Sequence, residues 1–427
     1  MNDNIGGLLF AGNVIQGPRL YFNGAGPVPL AATPTTEVTS PVTGSLNNFG
    51  IPGAKSFHFV APGYGNVQGV PVGLANPYFA RFASSPSTTA LADVAAAAPT
   101  FFTLSEIGGN DVLGYALSGG SGVNQAGNLN PATYGGSDIT DPNVFGQVFN
   151  TMVTTLTANG AKGVVANIPY ITSLAHFTTV PHNPVPLDAA TASQLNSGFA
   201  AYNQGLQGLL NAFNANLLPA NLMGYLTQVG FSQEEVDKRQ VSYVEGQNAV
   251  LILDESLIDL TLVNPALTNM RQATAEDLLV LTSSSFIGTT VGGNPQLING
   301  VSVPLADNWV LTPEEQAEVK TATDAFNTTI ESIANSNANV ALVDFKSILQ
   351  QASTTGLMFD EYNMNTDLVF GGLISLDGVH LTGRGYAMMA NEILKATDAE
   401  FGSNFEQATG GLAKADDHPT NYSPALR

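Results

Sequence analysis

Residues 100–111 read TFFTLSEIGGND. A short apolar and aromatic run ends in two glycines, the pattern of a buried strand entering a loop. Downstream, DPNVFGQVFNTMVTTLTANG (141–160) opens on Asp-Pro and closes on Asn-Gly. Its apolar residues Val144, Phe145, Val148, Phe149, Met152 and Val153 recur at helical spacing. AKGVVANIPYIT (161–172) then reads as a second β-branched strand, and residues 188–213 as a helix. Residues 312–337 predict a further helix, with Thr312 as its cap and acids in its first turn. NVALVDF (339–345) is a third strand, and residues 383–401 form the last helix. Strand and helix in alternation predict an α/β fold, a parallel sheet with helices on both faces. Residues 1–427 read as one domain. Its first 50 residues, rich in Gly, Pro and Thr, read as irregular surface chain, and 214–310 as an insertion or cap.

Composition narrows the partners. Lys plus Arg number 13 against 34 Asp plus Glu, a formal charge of −21. Phosphate backbones need clustered cations, so nucleic acid and anionic membrane are disfavoured. The absence of cysteine excludes disulfides, thiolate nucleophiles and cysteine metal sites. No segment approaches the ~18 apolar residues that span a bilayer. The opening MNDNIGGLLFAGN has no basic region followed by an apolar core, so no signal peptide is visible there. The acidic, cysteine-free, Asn/Thr-rich character points to the cell envelope or to secretion.

Three stretches could carry chemistry. In an open parallel sheet, ligands bind outside the carboxyl ends of the strands, and EIGGNDV sits at such an end. Gly108 and Gly109 allow a sharp turn that aims the Asn110 amide into the crevice, where it could donate to an oxyanion. An Asn-Asp turn that only caps the next helix fits the same stretch. In NNFGIPGAKSFHF (47–59), Gly53 could offer a bare backbone N–H, although a turn glycine explains it too. DGVH places Asp377 three residues before His380, so one ring nitrogen can donate to the carboxylate and the other is left as a base. A helix-entry turn capped by Asp377, with His380 on the surface, is the alternative. His58, among aromatics, reads as a core or lining residue and His418 as part of a polar tail. His176 and His182 frame HFTTVPH, a possible lip or metal pair, but no acidic third ligand is near in sequence. No metal or cofactor is implied.

In this fixed order the stretches resemble the SGNH/GDSL hydrolases. NNFGIPGAKS is similar to that family's second block, IGGNDV to its third and LDGVHLTGRGYAMMANEI to its fifth; NIPYITSL resembles the strand and loop that follow the third block in larger members. The resemblance implies a three-layer flavodoxin-like sheet of strand order 2-1-3-4-5 and a serine esterase or lipase. Asp377 and His380 would belong to the triad, and Gly53 and Asn110 to the oxyanion hole. The substrate would be a small-molecule, lipid or carbohydrate ester, with the insertion around 214–310 shaping the choice.

One element of the pattern is missing. The family's first block carries the nucleophilic serine in a G-x-S-L turn after the first, central strand, and residues 1–52 show no such strand, turn and helix. Gly44-Ser45-Leu46 spells a fragment of it, but Ser45 follows no apolar strand. It also precedes Gly53 too closely for a crossover, which needs at least ~10–12 residues. Ser56 is hemmed in by its neighbours, GGSGV fails at Val123, and no G-x-S-x-G elbow occurs. The nucleophile is therefore unknown. The expectation is an N-terminally shortened chain, with first strand, serine and any signal peptide upstream of Met1. The alternative is a non-catalytic carbohydrate- or lipid-binding protein on the same fold.

Overall fold

The computed structural model describes residues 4–426. Its main elements follow in chain order: β1 (Phe101–Leu104), α1 (Asn110–Leu117), α2 (Pro142–Thr157), β2 (Lys162–Ala166), α3 (Ala189–Asn214), α4 (Pro313–Asn335), β3 (Val340–Val343), α5 (Phe345–Thr354) and α6 (Gly383–Phe401). Helix starts follow local chemistry. Asp141 accepts from the N–H groups of Asn143 and Val144 ahead of Pro142, while Asp188, Asp344 and Thr382 cap α3, α5 and α6. Gly402, at φ 71°, ends α6 in the left-handed conformation.

The chain divides into two compact units. One takes the chain up to Gly114, then Gly122–His176 and the chain from Glu318 onward; the other takes Tyr115–Ser121 and Phe177–Ala317. In the first, β3, β2 and β1 form a parallel sheet in that order, with Val340 opposite Gly163 and Phe101 opposite Lys162. The central strand is buried from Gly163 to Ala166, as expected of a strand flanked on both sides. A Cβ at Gly163 would stand 2.4 Å from the ring of Phe102, so the close approach of the two strands requires glycine. Val164, Ala166, Ala341 and Val343 pack with Phe345 and, from α6, Met389 and Ile393. Phe145 stacks on Phe149 and on Phe326 with centroids 5.6 and 4.4 Å apart. Among the described residues no strand pairs with the outer edge of β1, and Phe101 there is 42% exposed.

The expectation of irregular chain through residue 50 needs correction. Leu8–Phe10 pairs with Asn13–Gln16 and Leu20–Phe22 with Pro27–Pro29, both antiparallel. Strands of three or four residues lie at the short end of what sheets use, and they leave little alternation to read.

The second unit contains all of 214–310 and extends beyond it on both sides. It combines α3 with the short helices Ala220–Gln228 and Gln233–Arg239 and several antiparallel pairs of two or three residues each. Leu206, Leu226, Val236, Leu251, Ile252 and Leu305 are fully buried in its core. Two buried arginines brace it. Arg239 donates to Glu235 at 2.8 Å, and Arg271 bridges Asp254 at 2.5 Å and Asp277 at 2.7 Å.

Candidate active site

The carboxyl ends of the three parallel strands open onto one cavity of about 220 Å³, all within the first unit. Ser105 and Glu106 follow β1, Asn167 and Ile168 follow β2, and Phe345 follows β3; all of these line the cavity. So do Asn110 and His380, whereas Gly53 and Ser45 are not among its lining residues.

His380 stands in a turn organised by one carboxylate. Asp377 Oδ1 accepts from Ser375 Oγ at 2.7 Å, Val379 N–H at 2.9 Å and His380 N–H at 3.0 Å. Its other oxygen, Oδ2, lies 2.7 Å from His380 Nδ1. The Ser375 N–H closes the turn on the His380 carbonyl, and the His176 N–H, donating to the Gly378 carbonyl, pins it to the rest of the unit. Thr382 then caps α6 while its hydroxyl donates to the Gly372 carbonyl. Because both hydrogen bonds and charge favour its ionised form, Asp377 is held well below the usual carboxylate range despite partial desolvation. The bond to Asp377 in turn raises His380 above an ordinary histidine, against partial desolvation and with help from the Asp377 and Glu106 charges. Among the described residues Nε2 of His380 has no hydrogen-bond partner, and 64% of its side chain is exposed.

The glycine loop brings Asn110 to the cavity wall. Gly108, at φ 104°, packs where a Cβ would meet Ile168 at 2.3 Å and Phe145 at 2.8 Å. Asn110 is the first residue of α1, and its side-chain amide donates to the Ala54 carbonyl at 3.0 Å. That bond brings the Asn110 side chain to the peptide next to Gly53, which adopts φ 76° in an open turn. The fully buried Asp111 forms a second clasp, accepting from Ser56 N–H at 2.8 Å and Ser56 Oγ at 2.7 Å. Burial raises the pKa of Asp111, opposed by its hydroxyl partners and by Lys55. Thus GGND and GAKS, far apart in the chain, are sewn together by neighbouring side chains.

The other candidates sort by environment. His58 stacks on Tyr64 at 4.1 Å and accepts the Lys55 N–H at Nδ1; partial burial, with Lys55 beside it, pushes its pKa down to about 4. His176 is buried, and burial lowers its pKa, opposed by Asp377. His182 belongs to the other unit, where its carbonyl accepts from Val250; the carbonyl of His418 accepts from Arg384. Ser45 is exposed on irregular chain, and the Ser56 hydroxyl is spent on Asp111. Three cavity residues escaped the sequence reading: Ser105, Glu106 and Tyr386. Burial raises the pKa of Glu106, opposed by His380, and pushes Tyr386 up to about 12. A carboxylate at a strand's carboxyl end, in a chain with only 11% charged residues, was the available signal for Glu106.

Residues 261–393 match the family model of GDSL-like lipases/acylhydrolases, less than a third of the chain but including Asp377 and His380. Over that stretch the chain is similar to the SGNH/GDSL hydrolases. Gly53 and Asn110 lie outside the GDSL match. No curated protein and no solved structure matches the chain. Among the described residues no helix is long and apolar enough to cross a membrane.

Proposed function

We propose that the first unit is the catalytic part of a carboxylic ester hydrolase. In this reading Nε2 of His380 takes the proton of a hydroxyl nucleophile as it attacks the acyl carbonyl. Asp377 fixes the ring tautomer and stabilises the imidazolium that forms. An amide NH₂ has two hydrogens. One of Asn110's is spent on Ala54, leaving the second, with the Gly53 N–H, to donate to the tetrahedral oxyanion. The alcohol leaves with the proton returned by His380, and water repeats the cycle on the acyl-enzyme. The observation that carries the reading is the 2.7 Å bond between His380 and Asp377 at the wall of a cavity beyond the strand ends, with Nε2 open.

The flavodoxin-like arrangement belongs to the same proposal. β1, β2 and β3 correspond to the third, fourth and fifth strands of the 2-1-3-4-5 order. The first strand of that order, with the nucleophilic serine at its carboxyl end, would lie along the unpaired edge of β1. Within the described residues, the serine on the cavity wall is Ser105, whose hydroxyl has no hydrogen-bond partner. Fluorophosphonate labelling with peptide mapping separates these sources. A single Ser105 adduct that vanishes in His380→Ala would make Ser105 the nucleophile. If no serine is labelled and ester turnover matches that of His380→Ala, this chain does not itself perform the reaction.

A further inference from the structure

Away from this cavity, the second unit gathers three carboxylates. Glu255, Asp307 and Glu315 each present an oxygen, and the three oxygens lie within 4.8 Å of one another. An acidic cluster on an exposed surface would need no explanation, but Glu315 is only 5% exposed. Its Oε2 accepts from Thr312 N–H at 2.6 Å and Thr312 Oγ at 2.9 Å, tying the side chain back to the start of α4. Its Oε1 is buried and has no hydrogen-bond donor, while Glu255 and Asp307 each bring an oxygen within 4.8 Å of the Glu315 carboxylate. An unmet carboxylate oxygen costs the desolvation of a charged group, so it needs a proton or a cation.

The backbone around the cluster is shaped to the acids. Gly119 and Gly120 adopt φ 60° and 83°; a Cβ at Gly120 would fall 1.9 Å from Glu315 Oε1, and one at Gly119 would fall 2.2 Å from the Asp307 carbonyl oxygen. Among the described residues no Lys or Arg pairs with the trio. Arg271, the partner of the adjacent Asp254, is already shared with Asp277. The start of α4 contributes only about half a positive charge, too little to neutralise three carboxylates. Burial, with Glu255 close by, raises the pKa of both Asp307 and Glu315.

We propose that Glu255, Asp307 and Glu315 form a binding site for a divalent cation of the hard, oxygen-seeking class, calcium fitting best. Calcium takes about six to eight oxygens in a flexible geometry and accepts several carboxylates, whereas magnesium demands a near-ideal octahedron and keeps most of its water. Zinc would be drawn to histidine or cysteine, and the cluster has neither. The remaining coordination positions are left to water and backbone carbonyls.

The single tryptophan, Trp309, lies two residues from Asp307 and is a built-in sensitiser for terbium luminescence. The full chain, stripped with EDTA, is titrated with Tb³⁺ under tryptophan excitation, then with CaCl₂, and its melting temperature is followed in parallel. We expect sensitised emission that calcium quenches by displacement, and a melting temperature raised by several degrees at roughly millimolar calcium. Both responses should disappear in Glu255→Gln/Asp307→Asn, which leaves the buried bonds of Glu315 to Thr312 intact. Two outcomes overturn the site. A melting temperature that answers to pH but not to calcium or magnesium would mean a shared proton fills the gap. A calcium response that survives in the double variant would mean the ion binds elsewhere.

Discussion

Replacing Asp377 by Asn separates a catalytic couple from a structural one. The amide oxygen can still accept the Ser375, Val379 and His380 donors that Asp377 Oδ1 holds at 2.7–3.0 Å, so the turn is retained. What changes is the group facing His380 Nδ1: an NH₂ replaces a carboxylate oxygen at 2.7 Å. The ring must then present its lone pair to the amide and carry its proton on Nε2, the wrong tautomer for a base. The pair is well exposed, 64% for His380 and 42% for Asp377, so its loss should cost stability no more than ~1 kcal/mol. In contrast, losing the orienting carboxylate of a triad lowers kcat by roughly 10⁴, or about 5 kcal/mol. The stability term also has a defined pH window. A raised His380 contributes below its unfolded value of ~6.5 and loses that contribution as pH rises through its folded pKa; a lowered Asp377 contributes above ~3.9 and loses it as pH falls. The melting difference between wild type and Asp377→Asn should therefore be greatest between about pH 4 and 6.5 and shrink by pH 9. NMR titration of His380 supplies a readout independent of turnover: above an ordinary histidine in wild type and lower in the variant. An unchanged His380 titration, or a loss of stability large enough to account for the loss of activity, refutes the reasoning.

Asn110→Ala should lower kcat on an activated ester ~10²–10³-fold by removing an oxyanion donor, with KM little changed, as steady-state kinetics would reveal. Gly108→Ala forces a Cβ against Ile168 and Phe145 at positive φ, so calorimetry should find roughly 1–3 kcal/mol of destabilisation, with activity lost through the displaced Asn110. Arg271→Leu strands Asp254 and Asp277 in the interior of the second unit and should cost ~3–5 kcal/mol, measured by urea denaturation at pH 7; a loss below 1 kcal/mol would mean the two acids find other partners.

Much of the first unit was legible because its signals are local. The strands at 101–104, 162–166 and 340–343 announced themselves as short apolar runs, and α2, α3, α4 and α6 begin within a residue or two of the Asp or Thr caps visible in the chain. Asp377 and His380 were readable together because a three-residue separation lets one turn join them. Sequence spacing carries no such information for partners that are far apart. The Asn110 bond to Ala54, the Asp111 clasp on Ser56 and the presence of Ser105, Glu106 and Tyr386 around His380 arise only when strand ends converge. The acidic trio is drawn from positions 255, 307 and 315, against glycines at 119 and 120, and is decided entirely by packing. The short hairpins near the N-terminus and the two-residue pairings of the second unit were equally hidden, since so few alternating residues leave no period to detect. Local backbone preference and short-range hydrogen bonding were thus written in the chain; which distant side chains meet, and whether their charges are met, was decided by burial in the folded units.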